Sequence, residues 1–293
     1  MTGELPEFPY ASRTADVLGL RVAYLDEGEA SEPPVWLMHG EPTWSYLWRR
    51  VLPPLRAAGL RCVVPDLVGF GRSDKPADMG FYSYDMHVAH MAALLERLDL
   101  RGATMVVHDW GGPIGMRLFV EHPDRFERLV VLDTGLFTGQ QRMSDAWSAF
   151  RDFVERTEDL PISMLVRNAT ARGMSDEVAA AYDAPFDGPE TKVGARAFPL
   201  MIPLTPDAPG AEAGRRVLDA LRADARPKLV LWADSDPVLP LETGRRFADA
   251  IGVGADAVEV VERASHFLQE DAGEEIGERI AEWLTAARPT PTV

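Results

Sequence analysis

The stretch VVHDWGG, Val106 to Gly112, decides the fold. Ahead of it Thr104, Met105, Val106 and Val107 form an apolar strand, and behind it Gly111, Gly112, Ile114, Gly115 and Met116 open a helix. A carboxylate, Asp109, therefore stands where a buried strand turns abruptly into a helix. Gly111 and Gly112 suit a turn so tight that larger side chains close to it would collide. Upstream, Val107 departs from the G-x-S-x-G form of such a turn, and no serine is present there. The position that would carry a nucleophile holds an aspartate.

On both sides of this turn, short β-branched runs alternate with helical patterns. "PVWLMHG", "RCVVPDL", "ATMVVHD" and "RLVVLDT" read as strands, separated by helical "WSYLWRRVLPPLRAAG", "MHVAHMAALLERLDL" and "PIGMRLFVEH". This is the βαβ rhythm of an α/β fold whose mostly parallel sheet is flanked by helices on both faces. It resumes with "KLVLWADSD", a helix near "ETGRRFADAIG", a strand near "AVEVVERASH" and a terminal amphipathic helix "EEIGERIAEWLTAAR". In the interval lie helical stretches such as "AWSAFRDFVERT" and "SDEVAAAYDA", joined by Pro- and Gly-rich segments, with no convincing strand. The expected organisation is a core of residues 1–134 and 227–293 with an inserted helical cap, residues 135–226. Such an insertion lies over the strand ends, where open α/β sheets bind ligands.

The composition narrows the partners. A chain of 293 residues, 46% hydrophobic, can bury a full core, and 46 acidic against 30 basic residues give a net charge of −16. That charge repels phosphate backbones and anionic lipid surfaces, so neither nucleic acid nor a membrane is an expected partner. The single cysteine, Cys62, sits in an apolar run and excludes a disulfide framework. The N-terminus has no basic start followed by an apolar stretch, and no segment reaches the length of a membrane span, which reads as a cytoplasmic protein. No heptad seam is present, so a monomer or weak homo-oligomer is expected.

Residues far along the chain complete the chemistry around Asp109. His266 follows the last strand in "RASHFLQED", and Asp236 follows the strand of "KLVLWADSD". Nucleophile, then acid, then histidine is the chain order expected for this kind of fold. Position favours Asp236 as the acid, while Asp133, at the end of "RLVVLDT", stays open as the alternative. In "HGEPTWSYLW" a strand ends in a loop whose backbone N–H at Glu41, with that of Trp110, would make a two-donor oxyanion hole.

An aspartate nucleophile selects its electrophile. Serine would turn an alkyl electrophile into an ether that water and a histidine cannot cleave. A carboxylate instead gives an alkyl ester, whose carbonyl belongs to Asp109 itself and is open to water activated by His266. Carbon–halogen bonds and epoxides are the electrophiles that fit. An opening epoxide needs a proton donor, commonly a pair of lid tyrosines, whereas a departing halide needs only N–H donors in a dry pocket. Between Gly135 and Arg226 there is one tyrosine, Tyr182, and one tryptophan, Trp147. Trp147 also suits an apolar helix face shared with Phe150 and Phe153. Paired with Trp110, it would present two indole donors to one halide.

"HGEPTWSYLWR", "PDLVGFGRSDKP", "VVHDWGG" and "ASHFLQED" together resemble the haloalkane dehalogenases of the α/β-hydrolase fold, as do "YDAPF" and "GARAFP" in the insertion. The resemblance covers most of the chain. It implies Asp109 as nucleophile, Asp236 as acid and His266 as base. It also implies Glu41 and Trp110 as oxyanion donors and Trp110 with Trp147 as halide ligands, with no cofactor and no metal. The implied partners are a small apolar halogenated substrate, water and a halide product. Epoxide hydrolases share the "HDWGG" turn but usually carry HGFP where this chain has "HGEP", and subgroups with Asn in that first motif place the acid where Asp133 stands.

Overall fold

The computed structural model describes residues 5–286. Its eight strands are β1 (Arg13–Val17), β2 (Leu20–Glu27), β3 (Pro34–Met38), β4 (Arg61–Pro65), β5 (Ala103–His108), β6 (Phe126–Leu132), β7 (Lys228–Ala233) and β8 (Glu259–Val261). They form one sheet in the order β1-β2-β4-β3-β5-β6-β7-β8. Pairing is antiparallel from β1 to β2 to β4 and parallel from β4 through β8. All six residues of β5 are buried, as required of a central strand covered on both faces. Each aliphatic side chain so buried contributes about 1.5–3 kcal/mol, which anchors the strand that delivers Asp109.

The ten α-helices among the described residues begin with α1 (Leu52–Ala57), α2 (Tyr84–Arg97) and α3 (Gly111–Glu121). The interval between β6 and β7 holds α4 (Asp145–Arg156), α5 (Ile162–Asn168), α6 (Asp176–Asp183), α7 (Val193–Met201) and α8 (Ala211–Ala223), with no strand among them. There α4 packs on α7 and α5 on α6, while α8 turns back to pack on α3 of the main layer. After β7 come α9 (Leu241–Ala250) and α10 (Leu268–Ala286). None of the described helices is long and apolar enough to cross a membrane.

Three features depart from the sequence expectation. The stretch 44–59 is not one helix: it forms a 3-10 turn, Ser45–Trp48, and the short α1, with Pro53 and Pro54 in the first turn of α1. Proline is tolerated there because first-turn N–H groups have no partner within the helix, but it ends any helix arriving from upstream. The N-terminal hairpin of β1 and β2 turns at Leu18 and Gly19, both at positive φ (49° and 83°), a geometry that follows the strand twist. Finally, α10 starts two residues after His266, well ahead of the amphipathic run that announced it, and carries a kink at Ala272.

Candidate active site

Asp109 sits at φ +46°, in the left-handed region that a non-glycine residue enters only when its surroundings hold it there. The surroundings do. Asp109 N–H donates to the Asp133 carbonyl at 3.2 Å, its own carbonyl accepts the Gly112 N–H at 2.8 Å, and the Thr134 hydroxyl donates to that same carbonyl. A Cβ at Gly111 would enter the carbonyls of Met38 and His39, and one at Gly112 would enter the Thr134 side chain. The neighbouring strand tips thus press against α3 and force the carboxylate outward.

That carboxylate has two unlike oxygens. Oδ1 accepts the Glu41 backbone N–H at 2.7 Å, while Oδ2 faces His266 Nε2 at 3.5 Å. Burial raises the Asp109 pKa, but its contacts with His266, the nearby His108 and the Trp110 backbone N–H outweigh this and leave it below the usual carboxylate range. It is therefore ionised and available as a nucleophile.

His266 Nδ1 hydrogen-bonds Asp236 Oδ2 at 2.8 Å. Asp236 is itself immobilised, because its Oδ1 accepts the N–H groups of Val238 at 2.7 Å and Leu239 at 3.0 Å. Burial works against a charged imidazole, but the charges of Asp236 and Asp109 and hydrogen bonds to both hold the His266 pKa well above its ordinary value. Asp133, the alternative acid of the sequence reading, is buried nearby with Oδ1 on the Ala233 N–H at 2.9 Å and makes no hydrogen bond to His266. Ligand-type atoms of Asp133, Asp236 and His266 lie within 4.8 Å of one another, a spacing compatible with a cation. His266 Nδ1 is already committed to Asp236 Oδ2.

Two histidines that the sequence reading passed over build the frame. His39 Nδ1 donates to the Gly40 carbonyl and Nε2 accepts the Leu67 N–H, both at 2.9 Å, which shapes the loop that presents Glu41. His108 Nε2 donates to the His266 carbonyl at 2.8 Å, and burial pushes its pKa down to about 3, so it stays neutral. Its place directly before Asp109 was the available signal. The Glu41 side chain was also missed: burial first, and the Asp109 charge second, push its carboxyl well above the usual range, so it faces the site un-ionised.

Glu41, Asp109, Trp110, Trp147 and His266 share an apolar cavity of about 130 Å³ with residues of the inserted helices and of the loop after β7. The Trp110 ring stacks on Phe198 of α7 at 4.7 Å. Trp147 lies in the first turn of α4, where Ser144 Oγ caps its N–H and also donates to the Val238 carbonyl, tying the helix to the Asp236 loop. Of the helix-face partners expected for Trp147, Phe150 lines the same cavity and Phe153 is exposed. Among the described residues no protein acceptor takes the indole N–H of Trp110, Trp147, Trp44 or Trp48, and of these four only Trp110 and Trp147 line the cavity; Trp36 and Trp232 spend theirs on Met38 and Leu239. Tyr182 is elsewhere: fully buried, it donates to Glu270, which also pairs with Arg49, and its ring meets Tyr46 at 5.2 Å.

A mostly parallel sheet, a strained strand-to-helix turn and a helical insertion define a protein of the α/β-hydrolase fold, and residues 33–273 match the α/β hydrolase fold family. The relatives narrow the class. The chain is 42% identical to a haloalkane dehalogenase of Mycobacterium marinum over 281 residues, 94% of either chain. It is 41% identical to one of Mycolicibacterium paratuberculosis over 287 residues, covering 96% of this chain and 95% of the other. The tetrameric haloalkane dehalogenase DpaA of Paraglaciecola agarilytica superposes with a TM-score of 0.86 at 35% identity, over 99% of this chain and 96% of that one. This chain belongs to the haloalkane dehalogenase family.

Proposed function

We propose that the enzyme hydrolyses short halogenated alkanes to an alcohol, a halide and a proton through an alkyl ester on Asp109, without a cofactor. The observation that carries this is the division of labour within one carboxylate. Oδ1 is held by a backbone N–H, and Oδ2 opens toward the imidazole and an apolar cavity. In the first step Oδ2 attacks the carbon bearing the halogen and the halide leaves. In the second, His266 takes a proton from water, which adds to the ester carbonyl, and the N–H groups of Glu41 and Trp110 hold the oxyanion on Oδ1. Its collapse breaks the Cγ–Oδ2 bond, the alcohol leaves with the proton from His266, and Asp109 returns to a carboxylate with loss of one proton.

The electrostatics fit this order. While Asp109 is ionised, two anions face His266; esterification removes one of them, so the imidazole loses part of what keeps it protonated when a base is needed. Asp236 is the acid that holds Nδ1 and stabilises the imidazolium. The inserted segment 135–226 acts as the cap: α4 and α7 bring Trp147 and Phe198 to the cavity, while α8 joins it to the core. A cavity of about 150 Å³ is enough for benzene, so the space here suits short-chain substrates. With Tyr182 bound to Glu270 in the core, no tyrosine among the described residues lines the cavity to protonate an opening epoxide.

The free indole N–H groups of Trp110 and Trp147 are the halide donors in this scheme. Trp110→Phe and Trp147→Phe keep most of the apolar volume and remove one donor each. Both are expected to weaken bromide quenching of indole fluorescence and to slow bromide release from a short bromoalkane, by roughly tenfold or more for a lost hydrogen bond to an anion. Unchanged quenching and release in the Trp147 variant would take that residue out of the halide site.

A further inference from the structure

Asp133 has no task in this scheme, yet it is a fully buried carboxyl group beside the triad. Oδ1 accepts the Ala233 N–H at 2.9 Å and Oδ2 receives no hydrogen bond. Asp236 is within 4.8 Å, its own oxygens committed to Val238, Leu239 and His266. An ionised Asp133 would be costly twice over, through a buried anionic oxygen without a donor and through a second like charge in a dry interior. One proton on Oδ2 relieves both.

We propose that Asp133 is a neutral carboxylic acid in the working enzyme, donating its Oδ2–H to the Asp236 carboxylate, and that it acts as a positioning residue that sets the basicity of the triad acid. Burial and the Asp236 charge favour the protonated form of Asp133, while His266 and two backbone N–H groups favour the ionised form of Asp236. The pair thus carries one negative charge. The groups facing His266 are then Asp236 and Asp109 as anions, with Asp133, Glu41 and His108 neutral. A third anion there would hold the imidazole protonated and disable it as a base. The hydrogen bond from Asp133 also draws charge from Asp236 and fixes its rotamer, so removing the donor makes Asp236 more basic and keeps His266 protonated to higher pH.

The role in turnover rests on the reading of His266 and Asp236 given above, whereas the proton itself can be observed without any substrate. Difference infrared spectra of the resting wild type against Asp133→Asn are expected to contain the C=O stretch of an un-ionised carboxyl, shifted in deuterated water; a signal from Glu41 cancels between the two. In single-turnover experiments the amide of Asp133→Asn can accept from Ala233 and donate to Asp236, so ester hydrolysis should stay within a few-fold of wild type. Asp133→Ala should slow it about tenfold at neutral pH, the effect of a lost hydrogen bond to a charged group, and move its acid limb to higher pH. An absent infrared band would overturn the proposal even if the Ala variant does not fold. So would an Asp133→Asn enzyme as impaired as Asp236→Asn. If no halide is released from any haloalkane, the band still reports on Asp133, so failure of the dehalogenase reading is distinguishable.

Discussion

The His266→Phe enzyme is expected to release one equivalent of halide and stop, its mass raised by the alkyl group of the substrate. Displacement requires only an ionised Asp109 and donors for the halide, and the Glu41 N–H, 2.7 Å from Oδ1, still favours the carboxylate when the imidazole is gone. Hydrolysis requires a base over the ester, and His266 Nε2, 3.5 Å from Oδ2, is the group in place. A positioned general base contributes about a hundredfold to ten-thousandfold, so the ester should outlive the time needed for intact-mass measurement. Phe conserves the ring that packs edge-on against Phe267 at 4.9 Å, which favours a folded variant. Continued turnover without an adduct, in folded protein with a good substrate, would place the base elsewhere.

Asp236→Asn carries the second large effect. The aspartate holds His266 with Nδ1 protonated, leaving Nε2 free to accept a proton. An amide that donates to Nδ1 would fix the opposite tautomer, with Nε2 protonated and useless as a base. The expected loss in turnover is roughly ten-thousandfold, against a few-fold for Asp133→Asn. Steady-state rates for the two variants, side by side, check this. The reverse ranking would move the acid to the end of β6.

The sequence and the structure can be compared at particular residues. The parallel core was legible because strands buried on both faces read as unbroken apolar runs, and the place of Asp109 was legible because only a tight strand-to-helix turn needs Gly111 and Gly112 so close to it. Long-range neighbours were legible only through chain order. The sequence placed Asp236 and His266 at strand ends and favoured Asp236 by position, but it left Asp133 open, since both follow apolar strands and side-chain direction decides which one meets Nδ1. The β1–β2 hairpin was hidden by its polar edge strand, and the early start of α10 by the motif residues that occupy its first turn. The frame histidines His39 and His108 were illegible for another reason: each makes contacts with backbone, which carries no sequence signature.

Halide release and the accompanying pH drop are the most direct test of the central claim. The panel is short brominated and chlorinated alkanes, run beside a styrene-oxide-type epoxide with Asp109→Ala as the blank. The account predicts bromide release that disappears with Asp109 and no diol from the epoxide. Diol formation without halide release would contradict it, and would mean that a proton donor other than Tyr182 serves the cavity.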